Sequence, residues 1–185
     1  MIAIIDNGSQ YTHLIKRNCR DLGFESEIIN DKGKLEFEPK KVIISGGPNS
    51  VYTSKIKLSR EIAEKILKKE LDVPLLGICF GHQLIAHLSG AKVEKGKSAE
   101  YGISEIIVSK EDLILKGIPK KFNAWVSHYD EIKELPKDFE ILAHSEICKI
   151  EAMRHKKRNI FTVQFHPEVW HTEHGERILE NFLKI

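Results

Sequence analysis

A glycine–cysteine–glycine spacing at the end of an apolar run constrains this chain more than any other feature. Residues 75–78 form a short apolar stretch, which is typical of a fully buried strand. Gly77 and Gly81 flank Cys79 at the spacing of a nucleophile elbow, where a strand turns into a helix and the crowded backbone leaves no room for a Cβ. The elbow predicts that Cys79 is a nucleophile at a helix N-terminus, where the helix dipole favours a thiolate.

Apolar runs alternate with amphipathic helical patterns along the first half of the sequence. Strands are predicted over 2–5, 25–29, 41–44 and 74–78, and helices over 12–22, 56–67 and 83–88. After Gly90 short strands follow one another over 101–108, 139–143, 148–155 and 160–165, before a closing helix over 172–183. The pattern predicts an α/β fold with an open, mostly parallel twisted sheet, flanking helices and an antiparallel extension, in one domain over residues 1–185.

Composition excludes several classes of partner and site. Charged residues make up 30% of the 185 residues and the formal net charge is +2, so neither nucleic acid nor another polyelectrolyte is an expected partner. Three widely spaced cysteines form neither a disulfide framework nor a CxxC zinc motif, which favours a reducing cytoplasmic location. No segment has the length and apolarity of a membrane span.

A cysteine nucleophile needs a base and a group that orients the base. His166 follows the predicted strand over 160–165 and stands in His166-Pro167-Glu168. Because residues two apart in an extended segment point the same way, Glu168 can orient the His166 imidazole and stabilise its charged form. The alternative is a His–Glu pair on a loop surface.

The Ser45-Gly46-Gly47-Pro48 loop suits an oxyanion hole. Glycine lets a backbone N–H approach a ligand closely, and an acyl-transfer intermediate needs two such donors. The sequence predicts the two donors as the N–H groups of Gly47 and Phe80. A plain turn is the alternative, whereas a phosphate loop is not expected because no Gly-Lys-Ser/Thr follows.

Three further features are given structural interpretations. His171-Thr172-Glu173-His174 lacks the spacing of a helical metal site, and Thr172 and Glu173 are typical of a helix N-terminus, so no metal is predicted. The basic run at residues 154–158 is expected at a solvated turn, with a partner-docking surface as the alternative. Trp125 and Trp170 are expected to be packing residues.

The three motifs together resemble the active-site set of the class I (triad-type) glutamine amidotransferases. They are the stretches 77–83, 45–48 and 164–168. The flanking stretches 6–12, 46–52 and 165–175 are similar to the glutaminase part of GMP synthases. The sequence departs from these relatives at Asn7, where many have Phe, and at Ile185, after which many continue into an ATP-pyrophosphatase domain. The resemblance is therefore to a stand-alone glutaminase subunit.

The resemblance implies a thioester mechanism and a division of labour. Cys79 would attack glutamine, with His166 and Glu168 completing the triad. The residues implied in holding the substrate are Gly46, Gln83, Ser127, His128 and Tyr129. Ammonia would pass to a separate ATP-pyrophosphatase subunit in a heterodimer or larger complex, where Mg-ATP and XMP are used to make GMP. No cofactor is expected in this chain.

Three rival functions use the same residues. The chain can serve another synthetase, such as one for anthranilate or aminodeoxychorismate, or act alone as a γ-glutamyl hydrolase. It can also be a catalytically silent module, although retention of all three triad members argues against that.

Overall fold

A nine-stranded mixed sheet runs through the computed structural model, which describes residues 1–53 and 55–185. In chain order the elements are β1 (Ile2–Asp6), α1 (Thr12–Asp21), β2 (Ser26–Asn30), β3 (Lys41–Ile44), α2 (Leu58–Leu67), β4 (Leu75–Ile78), α3 (Phe80–Leu88), β5 (Val93–Val108), a 3-10 turn (Leu113–Leu115), β6 (Lys121–Ile132), β7 (Phe139–His144), β8 (Ala152–His155), β9 (Ile160–Val163) and α4 (Gly175–Leu183). The strand order is β2-β1-β3-β4-β9-β8-β7-β5-β6.

The sheet divides into a parallel half and an antiparallel half. The five strands from β2 to β9 pair in parallel, and the remaining pairs are antiparallel. The predicted α/β fold with an antiparallel extension is therefore confirmed. Because parallel strands end at one edge of a sheet, the loops after β1, β3, β4 and β9 meet there, as expected for a ligand site in an open α/β sheet.

Helices cover both faces of the parallel half. On one face α1 and α4 pack Ile15 and Phe182 into a cluster with Phe161, and on the other α2 and α3 bury Ile66 and Ile85. Burying such a side chain contributes about 1.5–3 kcal/mol. Strands buried on both faces have continuous apolar sequences rather than alternating ones, which is why such strands could be predicted from the sequence. No helix within residues 1–53 and 55–185 is long and apolar enough to cross a membrane.

The antiparallel half departs from the sequence predictions. Strand β6 was not predicted, although Phe122, Ala124 and Val126 alternate inward along it. Residues 127–130, which the predictions left outside any strand, lie within β6. Strand β5 begins at Val93 rather than at residue 101, and its pairing with β6 is irregular between Lys95 and Glu100. Helix α4 begins three residues later than predicted, at Gly175.

Candidate active site

Cys79 is the single residue between β4 and α3. Its backbone has φ 51° and ψ −101°, a combination that residues other than glycine rarely adopt. The Cys79 N–H donates to the Val163 carbonyl oxygen at 2.8 Å, which anchors this strained turn to the end of β9. The predicted strand, turn and helix are therefore present, with the Cys79 thiol at the N-terminus of α3.

Two glycines make the turn sterically possible. A Cβ at Gly77 would lie 2.6 Å from the Gly81 carbonyl oxygen, and a Cβ at Gly81 would collide with the Ile44 carbonyl oxygen. The first turn of α3 therefore lies against both β3 and β4. This close approach explains the Gly-x-Cys-x-Gly spacing by packing alone.

His166 and Glu168 form a buried hydrogen-bonded pair. The His166 Nδ1 lies 2.8 Å from the Glu168 Oε1, and both side chains are almost fully buried. Because a carboxylate accepts, Nδ1 carries the proton and Nε2 is left for the cleft, in which His166 and Cys79 are neighbours. This arrangement of thiol, imidazole and carboxylate is that of a catalytic triad.

The pair forms by a different route from the one the sequence suggested. Strand β9 ends at Val163, so His166 and Glu168 do not share an extended segment. They lie in a turn instead, with the Val169 N–H donating to the His166 carbonyl oxygen at 3.3 Å and Pro167 in between. Proline suits this position because its fixed φ favours the second place of a turn.

Backbone and side-chain contacts fix the His166 loop from both sides. The His166 N–H donates to the Trp125 carbonyl oxygen at 2.9 Å. The Thr172 hydroxyl donates to the His166 carbonyl oxygen at 2.6 Å and accepts from the Trp125 N–H at 2.9 Å. Thr172 therefore connects the histidine loop to β6 and does not cap α4, whose N-cap residue is His174. The sequence predictions missed this role.

The electrostatics of the cleft favour a charged imidazole. Burial on its own would lower the pKa of His166, but the negative charges of Glu168 and Cys79 outweigh it and raise this pKa well above its usual value. A buried imidazolium beside a thiol is the arrangement that activates cysteine nucleophiles in other enzymes.

A cleft of about 370 Å³ opens above the cysteine. Its lining residues are Gly8, Ser9, Gln10, Tyr11, Gly47, Pro48, Cys79, Ser127 and His166. The volume suits a small ligand such as an amino acid. A larger cavity of about 650 Å³ lies between α1 and the start of α4, but neither Cys79 nor His166 lines it.

The loop after β3 lies in this cleft as predicted for an oxyanion hole. A Cβ at Gly46 would lie 3.1 Å from the His166 Cε1, and a Cβ at Gly47 would lie 2.5 Å from the Asn7 carbonyl oxygen. The N–H of Phe80 is the first of α3. Neither this N–H nor that of Gly47 has an acceptor among the described residues, so both can donate to a ligand.

The structure brings only part of the predicted substrate-binding set to the cleft. Ser127 lines it, and the Ser127 carbonyl oxygen lies 3.7 Å from the Cys79 sulfur. The Gln83 amide is instead bound to the Asp130 carbonyl oxygen at 2.8 Å and to the Gln164 side chain at 3.0 Å. In neighbouring positions of β6, His128 turns its ring toward Glu100 and Tyr129 faces solvent beneath Lys95, since successive strand residues alternate in direction.

Two residues of the β1 loop reach the site without having been assigned a role. The Tyr11 ring meets the His166 ring edge-on at 5.1 Å, and its hydroxyl accepts from the Trp125 indole N–H at 3.2 Å. Ser9 lies beside Gly46. The available signal was topological: the loop after β1 leaves the same sheet edge as the loops bearing Cys79 and His166.

The other cysteines and the first histidine of α3 are structural. Burial raises the pKa of Cys19 to about 11 and raises the pKa of Cys148 further, so both remain thiols. Burial lowers the pKa of His82 to about 3, and the neutral ring bridges the Thr162 hydroxyl and the Ile150 carbonyl oxygen. Trp170 is 83% exposed, so its predicted packing role is wrong.

The chain as a whole is similar to known proteins. Residues 3–185 match the family model for glutamine amidotransferase class I. The chain is 51% identical to a glutamine-hydrolyzing GMP synthase subunit of Pyrococcus abyssi and 46% identical to that of Methanocaldococcus jannaschii, covering 100% of this chain and 98% and 97% of those proteins. The crystal structure of a Thermoplasma acidophilum protein described as a GMP synthase subunit matches with a TM-score of 0.88 and 34% identity over 99% of this chain and 92% of that chain.

Proposed function

This chain belongs to the class I glutamine amidotransferase family, and from that premise we propose that it is the glutaminase subunit of a two-chain GMP synthase. The observation that carries the proposal is a strained elbow cysteine beside a buried, hydrogen-bonded His166–Glu168 pair in a cleft of amino-acid size. The GMP synthase assignment is supported by the full-length likeness to proteins of that name.

In the first half-reaction the Cys79 thiolate attacks the side-chain carboxamide carbon of glutamine. The oxygen becomes negatively charged, and the N–H groups of Gly47 and Phe80 bind it. One such donor is worth about a hundred- to a thousand-fold in kcat. His166, held as an imidazolium by Glu168, gives its proton to the departing nitrogen, so ammonia leaves and a glutamyl thioester remains.

In the second half-reaction His166 works in reverse. Its neutral ring takes a proton from water, the water oxygen attacks the thioester carbon, and glutamate and the Cys79 thiolate are released. The Nδ1–H bond to Glu168 keeps Nε2 facing the reacting atoms in both steps. The unusual backbone conformation of Cys79 contributes to catalysis because it holds the sulfur above the sheet edge. The thiolate therefore does not have to find its reactive position among other rotamers and backbone states.

A cluster of aromatic side chains adjoins the loop that carries His166. Tyr101 is 74% exposed and Trp170 is 83% exposed, and the rings of Trp125 and His171 lie between them. Exposed aromatic clusters of this kind are typical of protein interfaces. We assign these four aromatic side chains, the rim aromatics, to contact with an ATP-pyrophosphatase subunit that uses Mg-ATP and XMP.

Contact at the rim aromatics can be transmitted to the catalytic base, His166. Trp125 binds His166 through its carbonyl oxygen and Tyr11 through its indole N–H. A partner that moves Trp125 therefore shifts the base directly. On this basis the isolated chain is a poor glutaminase that its partner activates by population shift.

The experiment measures glutamate release by the chain alone and with a GMP synthase ATP-pyrophosphatase subunit, Mg-ATP and XMP. We expect slow hydrolysis alone, fast hydrolysis in the full mixture, and GMP formed from glutamine. Cys79→Ser should remove both activities, while GMP formation from added ammonia should survive because the partner carries that step. Equal rates in all mixtures would contradict activation, and glutamine hydrolysis without GMP would point to another synthetase.

A further inference from the structure

A second group of ligand-type side chains lies buried outside the cleft. Glu100 on β5, His128 on β6 and Glu151 just before β8 each bring one atom to within 4.8 Å of the others. Glu151 is 0% exposed, Glu100 is 5% exposed, and the side chain of His128 is 4% exposed. The glutaminase mechanism uses none of these three side chains.

Most of the polar atoms in this group lack a partner. Among the described residues, both carboxylate oxygens of Glu151, the Oε2 of Glu100 and the Nε2 of His128 make no hydrogen bond. No lysine or arginine nitrogen in the described part of the chain lies within 4.0 Å of the Glu100 or Glu151 carboxylate. The nearby Glu131 is already paired with Lys133 at 2.6 Å. Buried charges in proteins are normally paired or bound to a metal, so the group is one cation short.

The position of the proton on the neutral His128 ring adds to the evidence that this group lacks a cation. The His128 Nδ1 lies 3.1 Å from the Asp130 carbonyl oxygen, and a carbonyl only accepts, so Nδ1 carries the proton. In the neutral ring the lone pair of Nε2 stands 3.2 Å from the Glu100 Oε2, whereas a proton on Nε2 would make this contact an ion pair. Two bare acceptors repel at that separation, but neighbouring ligands of an ion with bonds of about 2.1 Å lie about 3 Å apart. Metal-binding histidines typically give their other N–H to a backbone carbonyl, as His128 does.

We propose that Glu100, His128 and Glu151 bind a divalent transition-metal ion. Two carboxylates and a neutral imidazole carry two negative charges, which a divalent ion cancels and a single proton on the ring does not. One nitrogen and several carboxylate oxygens suit zinc or manganese, and three protein ligands leave positions for water.

The ion would add a link between the β5–β6 pair and the rest of the sheet. The β5–β6 pair meets the rest of the sheet through the two-residue pairing of Ile107 and Val108 with β7. Glu151 belongs to the other side of that junction, and the Gln164 N–H binds its carbonyl oxygen at 2.7 Å. Since His128 directly follows Ser127, the ion would also fix one wall of the cleft.

The test measures metal content and thermal unfolding, neither of which depends on glutaminase activity. The untagged chain carries Cys79→Ser, so that the cleft thiol cannot compete for metal. It is stripped with a chelator, incubated with zinc or with manganese, desalted and analysed. We expect one retained ion per chain and a higher Tm than in chelator.

Matched variants locate the ion. Glu151→Gln keeps the side-chain shape but removes a ligand charge, whereas Glu105→Gln changes an exposed β5 carboxylate that pairs with Lys121 at 2.8 Å. Glu151→Gln should lose the ion and Glu105→Gln should keep it. In chelator Glu151→Gln should melt above its parent, because a buried charge is gone, and in zinc the order should reverse. If Glu151→Gln does not fold, Glu100→Gln takes its place.

Three results would overturn the proposal. The first is a parent chain that retains no ion and melts at the same temperature with and without either metal. The second is equal retention by Glu151→Gln and Glu105→Gln. The third is a Tm that rises on acidification and ignores metal, which would show that protons neutralise the group instead.

Discussion

Adding one methyl group at Gly47 should remove an oxyanion donor while leaving the triad in place. A Cβ there would lie 2.5 Å from the Asn7 carbonyl oxygen and 2.8 Å from the Asn7 Cβ, whereas ordinary contact begins at 3.4 Å. Asn7 cannot yield freely, because its N–H binds the Ser45 hydroxyl at 3.0 Å and its side chain accepts from the Ser59 hydroxyl at 2.7 Å. The Gly47 peptide must therefore shift by about 1 Å, which carries its N–H out of the 2.7–3.1 Å range of an effective donor.

Gly47→Ala should consequently lower kcat by about a hundred- to a thousand-fold, or about 2.7–4 kcal/mol, with KM little changed. The assay is steady-state glutamate release in the presence of the partner with its own substrates. Gly33→Ala is the matched control, since its Cβ meets the Asn30 carbonyl oxygen at 3.0 Å, far from the cleft. The reasoning fails if a folded Gly47→Ala enzyme turns over as fast as Gly33→Ala, or if KM alone changes.

Three further predictions concern the nucleophile, the base and the rim. A glutamine-like electrophile should label Cys79 alone, as mass spectrometry would show, because burial keeps Cys19 and Cys148 protonated; labelling at Cys148 with Cys79 untouched would refute the assignment. Because the pKa of His166 is raised in the folded chain, the charged imidazole stabilises the fold fully below the unfolded pKa of 6.5, and this contribution is lost as pH rises through the folded pKa. The loss of Tm caused by His166→Gln should therefore become smaller at alkaline pH. A loss of Tm that does not change with pH would count against the charged imidazole. Trp170→Ala should raise the partner concentration needed for half-maximal activation while leaving the basal rate unchanged, and an unchanged titration curve would place the partner elsewhere.

The features that could be predicted from the sequence are those determined by local steric contacts, by burial and by the order of the elements. The elbow at Cys79 requires glycines two positions away on each side, and the structure shows the backbone contacts that impose them. Strands β1, β3, β4 and β9 could be predicted from the sequence because they are buried on both faces and are therefore almost continuously apolar. The nearness of Gly47, Cys79 and His166 followed from topology, since all three lie beyond the carboxyl ends of neighbouring strands.

Features set by long-range pairing were not readable. Strand β6 mixes polar and apolar residues, so its alternation was hidden until its pairing with β5 was known. The register irregularity between Lys95 and Glu100 decides that Glu100 stands opposite His128, and no local pattern encodes that. For the same reason His128 was assigned to the substrate, although its ring points away from the cleft, and the group it forms with Glu151 had no sequence signature.

The pairing of β4 with β9 also determines when a newly synthesised chain can acquire glutaminase activity. His166 follows Cys79 by 87 positions, which at about 5–20 residues per second is about 4–17 s of synthesis. During that interval the cysteine has neither its base nor the Val163 carbonyl that anchors the elbow. Recovery of glutaminase activity in a refolding experiment should therefore coincide with the docking of β9, late in a fold of long-range contacts.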